Sequence, residues 1–197
     1  VAKYGLLDVQ ELNPDIKIDL KYRTADNFMK KVLYDSIERA YLQPAVAKRL
    51  ANCQNYLSEL DSNLHLLIYD AVRPRSVQWD MWNALDSIPF SQRIKFVSNP
   101  KNASLHNLAC AVDLTICKED GTVLDMGAGY DDMRQIAYPS MERHFVSIGE
   151  LSPEQLHNRQ LLRKVMRHQR FFNIPTEWWH FNAYSRKAAK NKYEVIE

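Results

Sequence analysis

The sequence predicts an α+β fold, with helices packed on a small, largely antiparallel sheet. Three observations predict it. Residues 44–60, 76–85 and 152–168 carry apolar side chains at helical spacing, whereas 16–22, 65–70 and 111–116 are short alternating or apolar runs. Asp120-Gly121, inside DLTICKEDGTVLDMG, is a hairpin turn signal. The strand-like segments AVDLTI (111–116) and EWWHF (177–181) fall on either side of the last long helix, with no strict strand–helix alternation. The 197 residues show no repeat, low-complexity stretch or linker, so a single domain over 1–197 is expected.

Each element has a local reason. IKIDLKY (16–22) alternates and reads as a strand. PAVAKRLANCQNYLSEL (44–60) reads as a helix with Pro44 in its first turn and Val46, Leu50, Cys53, Leu57 and Leu60 on one stripe. HLLIYD (65–70) is an apolar run suited to a buried strand, and it leads directly to Arg73. SVQWDMWNAL (76–85) reads as a helix capped by Ser76. SPEQLHNRQLLRKVMRH (152–168) has Ser152 as cap, Pro153 first and Gln155 closing a capping box. The basic stretch at 159–170 reads as a solvated face of that helix.

Composition excludes several classes. The chain is 46% hydrophobic and 25% charged, with a net charge of +2. That is ordinary for a globular domain and too mild to argue for a nucleic-acid or membrane-surface partner. No segment has the apolar length of a membrane span. Cys53, Cys110 and Cys117 are an odd number with no C-x-x-C, so they read as packing residues and not as disulfides or zinc ligands. The chain begins with Val1, which is compatible with removal of a targeting segment. Oligomeric state is not legible.

Two motifs carry chemistry: SLHNLACAVD (104–113) and EWWHF (177–181). Together they offer two histidines, an aspartate and a spare glutamate. Three protein ligands with an open position are what a catalytic zinc needs. A nearby glutamate that is not a ligand can take a proton from the attacking water. Six histidines are present, and most histidines in globular proteins are surface or hydrogen-bonded groups; His65, His144, His157 and His168 stay with that reading. Asp113 lies within a strand pattern, between Ala111 and Thr115 on one face, where its charge needs compensation. A metal, a salt bridge or a solvated face would each provide it.

Spacing constrains the geometry. His106 precedes Asp113 by seven positions, an odd offset that one straight strand would place on opposite faces. His106 therefore belongs to a preceding loop or turn, for which NPKNAS (99–104) has the composition. Glu177 and His180 are three apart, so a bend is needed to bring both to one site. At least one of Trp178 and Trp179 is expected to be a packing residue.

The blocks DLKYRTADNF (19–28), LLIYDAVRP (66–74), SLHNLACAVDLTI (104–116), LDMGAGYDD (124–132), NRQLLRKVM (158–166) and EWWHF run in order through most of the chain. In them the sequence resembles the D-alanyl-D-alanine dipeptidases, the VanX-type branch of the zinc D-Ala-D-Ala peptidases with a hedgehog-like fold. The resemblance implies one Zn²⁺ per chain bound by His106, Asp113 and His180, with Glu177 as catalytic base. It implies that Arg73 holds the scissile carbonyl oxygen, a role suited to an always-charged fork at the end of a buried strand. It implies that Asp131 grips the substrate's amino group with help from Asp70 and Tyr22, and that Ser104 lies near the substrate's carboxylate. One position departs from the family pattern: Ala109 stands where glycine is usual, and a turn of positive φ would strain it.

The implied function is hydrolysis of D-Ala-D-Ala to two D-alanines in cell-wall peptide metabolism. The alternatives are a zinc D,D- or L,D-carboxypeptidase acting on peptidoglycan stem peptides, and a hedgehog-like zinc binding module without catalysis. Retention of Glu177 and Arg73 disfavours the module. A wall-derived substrate suits the periplasm or cell envelope; a cytoplasmic location is the alternative.

Overall fold

The computed structural model describes residues 2–95 and 97–197. Its elements in chain order are β1 (Leu7–Asp8), α1 (Val9–Leu12), β2 (Lys17–Ile18), β3 (Tyr41–Leu42), α2 (Pro44–Leu60), β4 (Leu64–Asp70), α3 (Arg75–Ala84), β5 (Ala111–Lys118), α4 (Glu142–Ser147), α5 (Pro153–His168), β6 (Phe172–Asn173), β7 (His180–Asn182) and α6 (Arg186–Lys192), with several short 3₁₀ turns between them. β1 and β3 form a small antiparallel pair. The main sheet has the order β2-β4-β5-β7-β6; only β2–β4 is parallel. The α+β prediction with a largely antiparallel sheet holds.

β4 and β5 lie inside the sheet and are buried on both faces; β4 accordingly reads as an apolar run, while β5 reads as an alternating strand whose second face carries Asp113 and Thr115. α2 and α5 pack on each other, and Val46, Leu50, Cys53 and Leu57 of α2 are buried as the helical stripe predicts. Leu60, at the end of that stripe, is exposed. The capping box of α5 is present: Gln155 N–H donates to Ser152 Oγ and Ser152 N–H to Gln155 Oε1. All three cysteines are buried and free.

Four expectations need correction. The strand at 16–22 pairs only over Lys17–Ile18; Leu20 and Tyr22 then both turn into the core, and a 3₁₀ turn covers Lys21–Arg23. α3 is not capped by Ser76: Pro74 sits at the N-cap position and makes no side-chain cap bond. The hairpin turns at Gly121, with φ of 85°, but its return arm joins β5 only through a Cys117–Val123 bridge and the Leu124 N–H to Ile116 O bond. β7 already occupies that edge of β5 at Ala111–Asp113, so only its far end is free. The face of α5 read as solvated includes Arg159, which is 1% exposed. Its Nε donates to Met126 O at 2.6 Å, while Arg163 pairs with Glu142 through two 2.8 Å bonds. These contacts fasten the 124–132 loop and α4 onto α5. Among the described residues, no helix is long and apolar enough to cross a membrane.

Candidate metal and catalytic site

The site lies at one end of the sheet, where β5 and β7 pair Asp113 with His180. His106 arrives from the 3₁₀ turn His106–Leu108, just before β5, as the odd spacing requires. The turn closes on Ala109, whose φ of 50° and ψ of 39° place an alanine in the left-handed region. The glycine usual at that position would be unstrained there. Ala103, one residue before Ser104, also has a positive φ of 51°. The strand in EWWHF covers only His180 onward; a bend at Trp178–Trp179 precedes it and turns Glu177 toward the same cleft as His180. Both tryptophans are buried, and Trp178 Nε1 donates to Ala128 O at 3.1 Å.

His106, Asp113 and His180 converge, with one ligand atom from each inside a 4.8 Å cluster. His180 Nδ1 is 2.9 Å and His106 Nε2 3.3 Å from Asp113 Oδ1, and the two ring nitrogens are 3.2 Å apart. The opposite nitrogens are anchored. His106 Nδ1 meets Ala71 O at 2.7 Å, and a carbonyl can only accept, so Nε2 carries the free lone pair. His180 Nε2 meets Asn182 Oδ1 at 2.8 Å, which leaves Nδ1 turned to the cluster. Burial would push the Asp113 carboxyl up, but His106 and His180 beside it hold it well below the usual carboxylate range. Burial would lower the His180 imidazole, yet Asp113 and then Glu177 raise it to about 9. A buried anion between two oriented imidazoles fits a divalent cation with nitrogen and oxygen ligands.

Glu177 stands beside the triad without joining it. Its Oε2 is 3.9 Å from His180 Nδ1, and 40% of its side chain stays open to the cleft. The cleft walls push its carboxyl above the usual range, against the opposing pull of His180. Arg73 follows β4. Its Nε and Nη2 donate to Asp70 Oδ2 at 2.9 and 2.5 Å, and Nη2 is 3.8 Å from Asp113 Oδ2. Burial works against the guanidinium charge, and Asp70 together with the hydroxyls of Tyr22, Tyr34 and Tyr130 more than offsets it. The register shift between Ile68 and Asp70 sets Asp70 opposite Asp113, so one arginine compensates two carboxylates.

The structure sorts the remaining candidates. Asp131, Tyr22 and Ser104 line the cleft, which encloses about 220 Å³, with His106, Asp113, His180, Glu177 and Arg73. Tyr22 OH donates to Asp131 Oδ2 at 3.0 Å, and burial followed by the Asp113 charge pushes the Asp131 carboxyl well up. Ser104 Oγ donates to Gln78 Oε1 at 2.8 Å. Asp70 is not in the cleft wall. It is fully buried behind Arg73 and also accepts from Tyr34 OH and the Ala71 N–H. Contact with a substrate's amino group, expected of Asp70, is therefore replaced by a hold on Arg73. His65, His144, His157 and His168 lie outside the cleft.

Sequence reasoning missed two residues that touch the triad. Tyr130 OH donates to Asp113 Oδ2 at 3.1 Å from the loop before Asp131, and no local signal marks it. Asn182 follows His180 by two positions on a strand, so a shared face could have been inferred.

The chain was compared with known proteins. The model of the Peptidase_M15 family, described as D-ala-D-ala dipeptidase, matches residues 2–196. A D-alanyl-D-alanine dipeptidase of Escherichia coli (strain K12) is 35% identical over 176 residues, which cover 89% of this chain and 83% of that protein. A D-alanyl-D-alanine dipeptidase of Enterococcus faecalis (strain ATCC 700802 / V583) is 28% identical over 192 residues, 90% of each chain. Among solved structures, a variant of the vancomycin-resistance D,D-pentapeptidase VanY in complex with Zn(II) aligns with a TM-score of 0.41 and 13% identity, over 80% of this chain and 81% of that one.

Proposed function

The chain belongs to the Peptidase_M15 D-ala-D-ala dipeptidase family, and on that premise we propose that it hydrolyses free D-Ala-D-Ala to two molecules of D-alanine with one Zn²⁺ held by His106, Asp113 and His180. The observation that carries this reading is the convergence of the three ligand atoms, with Glu177 and Arg73 on the same cleft wall. When bound, zinc supplies Lewis-acid chemistry, lowering the pKa of water toward roughly 7 and polarising a carbonyl.

The chain's own residues do the rest. Glu177, open to the cleft and raised above an ordinary carboxylate, takes a proton from the attacking water and returns it to the leaving amine. Arg73 is fixed by Asp70 through Nε and Nη2, which leaves Nη1 to donate to the oxyanion that develops on the scissile carbonyl. Asp131, with Tyr22 donating to one of its oxygens, pairs with the substrate's free ammonium. The amide nitrogen of a longer chain would gain nothing there, which favours a dipeptide over a stem peptide.

The test compares kcat/KM of the zinc-loaded protein on D-Ala-D-Ala and on a stem peptide ending in D-Ala-D-Ala. The dipeptide should be cleaved much faster. Equal or faster cleavage of the stem peptide would replace this reading with a carboxypeptidase. Glu177→Gln should keep zinc at wild-type stoichiometry while kcat falls by roughly two or more orders of magnitude. Loss of zinc in that variant would make Glu177 a ligand, and near-normal turnover would remove it from the reaction.

A further inference from the structure

A free dipeptide carries charge at both ends, and the site described so far answers only one of them. Asp131 is placed for the ammonium. The carboxylate has no evident partner among the residues already assigned. Ser104 is near, but its hydroxyl proton is given to Gln78 Oε1 at 2.8 Å and its oxygen faces the Asn107 N–H at 3.3 Å. To donate to a carboxylate it would have to abandon Gln78, which is fully buried. Arg73 is committed to Asp70 by two short bonds and has Asp113 at 3.8 Å, so its charge is already compensated twice.

A second arginine lines the same cleft. Arg186 is the first residue of α6, a helix that starts four positions after β7, the strand carrying His180. Its backbone is held from both sides. Ser185 Oγ caps the helix by accepting from the Ala188 N–H at 3.3 Å, and Ala189 on the inner face is fully buried. Among the described residues, the Arg186 side chain makes no salt bridge and no hydrogen bond, and the residue is exposed. The cleft wall otherwise presents three carboxylates, Asp113, Asp131 and Glu177. An uncommitted guanidinium at that wall is the complement of the substrate's one negative group. A dipeptide spans only about 7 Å when extended, so whatever holds its carboxylate has to stand on the wall of this cleft, and Arg186 does. A planar fork also suits a carboxylate, which it can hold through two parallel bonds.

We propose that Arg186 captures the C-terminal carboxylate of the substrate and so sets a specificity for free acids. The inference rests on the peptidase reading above and extends it to the second end of the substrate. Because Arg186 acts at an open rim and not on the reacting carbonyl, its contribution is to binding, with the chemical step left to Glu177 and Arg73.

The experiment is a cycle over residue and substrate end. kcat and KM are measured for the zinc-loaded wild type, Arg186→Gln and Arg186→Lys, each on D-Ala-D-Ala and on its C-terminal carboxamide. Arg186→Gln should raise KM for the free acid about tenfold with kcat within about twofold. The wild-type preference for acid over amide should shrink by the same factor, and Arg186→Lys should restore most of it. An unchanged KM for the acid, or an equal loss on acid and amide, would overturn the assignment. If the wild type instead cleaves a stem peptide and spares the dipeptide, the dipeptidase reading falls. The same cycle run on the stem peptide acid and amide then decides Arg186 separately, since that substrate also ends in a carboxylate.

Discussion

Asp70→Asn should unfold this protein far more easily and should do so through Arg73. Asp70 is fully buried, and the Arg73 side chain is 11% exposed. The carboxylate accepts from Arg73 Nε and Nη2, from Tyr34 OH at 2.5 Å and from the Ala71 N–H at 2.9 Å. Asparagine keeps the shape and one acceptor, but it removes the charge and turns an NH₂ toward other donors. A buried guanidinium left without its partner costs about 3–5 kcal/mol. Against a total stability of about 5–15 kcal/mol this is a large share. For a chain of this size it corresponds to a Tm lower by about 6–20 °C. Thermal and urea unfolding, read by circular dichroism, measure it. The decisive arm is the double variant Asp70→Asn/Arg73→Met. Removing the stranded charge should recover much of the lost stability while activity stays absent, because the donor we propose for the oxyanion has gone. A loss under about 1 kcal/mol in Asp70→Asn, or a double variant less stable than the single one, would show that Asp70 does not hold the Arg73 charge.

Tyr130→Phe removes the donor to Asp113 Oδ2 and nothing else from the triad; zinc affinity in a chelator competition should fall roughly ten- to a hundredfold, and an unchanged affinity would make Tyr130 a packing residue. Asp131→Asn should stabilise the metal-free protein at neutral pH, because burial and the Asp113 charge hold the folded carboxyl well above its unfolded value, so its ionisation costs stability as pH rises. The gain should vanish below the unfolded carboxyl pKa of about 3.9, where both states are protonated, and KM for the dipeptide should rise; a gain that persists at low pH would point instead to easier accommodation of the φ of 60° at this position. Ala109→Gly relieves a left-handed alanine, about 1–2 kcal/mol, but loses a buried methyl of about 0.8 kcal/mol and frees the unfolded chain by about 0.4–1 kcal/mol. The terms nearly cancel, so urea unfolding should move by less than about 1 kcal/mol, and a gain above 2 would mean that strain at this turn is larger than its dihedral angles suggest.

What could be read from the sequence divides along a physical line. The convergence of His106, Asp113, His180 and Glu177 on one cleft was legible because the chemistry that suggests them is their own: a metal site or a base calls for those residue types, at offsets the backbone allows. α2 and α5 were legible because helix periodicity, an N1 proline and a capping box are all short-range. β4 was legible as an apolar run suited to burial on both faces, and β5 by its period-two alternation. Residues whose part is to hold another residue gave no such signal. Asp70 meets Asp113 only because the chain slips its register at the end of β4. Tyr130 meets Asp113 only because the 124–132 loop is tied down by Arg159 and Asn158 of α5. Arg159 itself looked like one more charge on a solvated helix until that loop and Glu142 were packed over it. Arg186 inverts the case. Its sequence context is an unremarkable basic helix start, and what singles it out is that it lines the cleft while, among the described residues, its side chain makes no salt bridge or hydrogen bond.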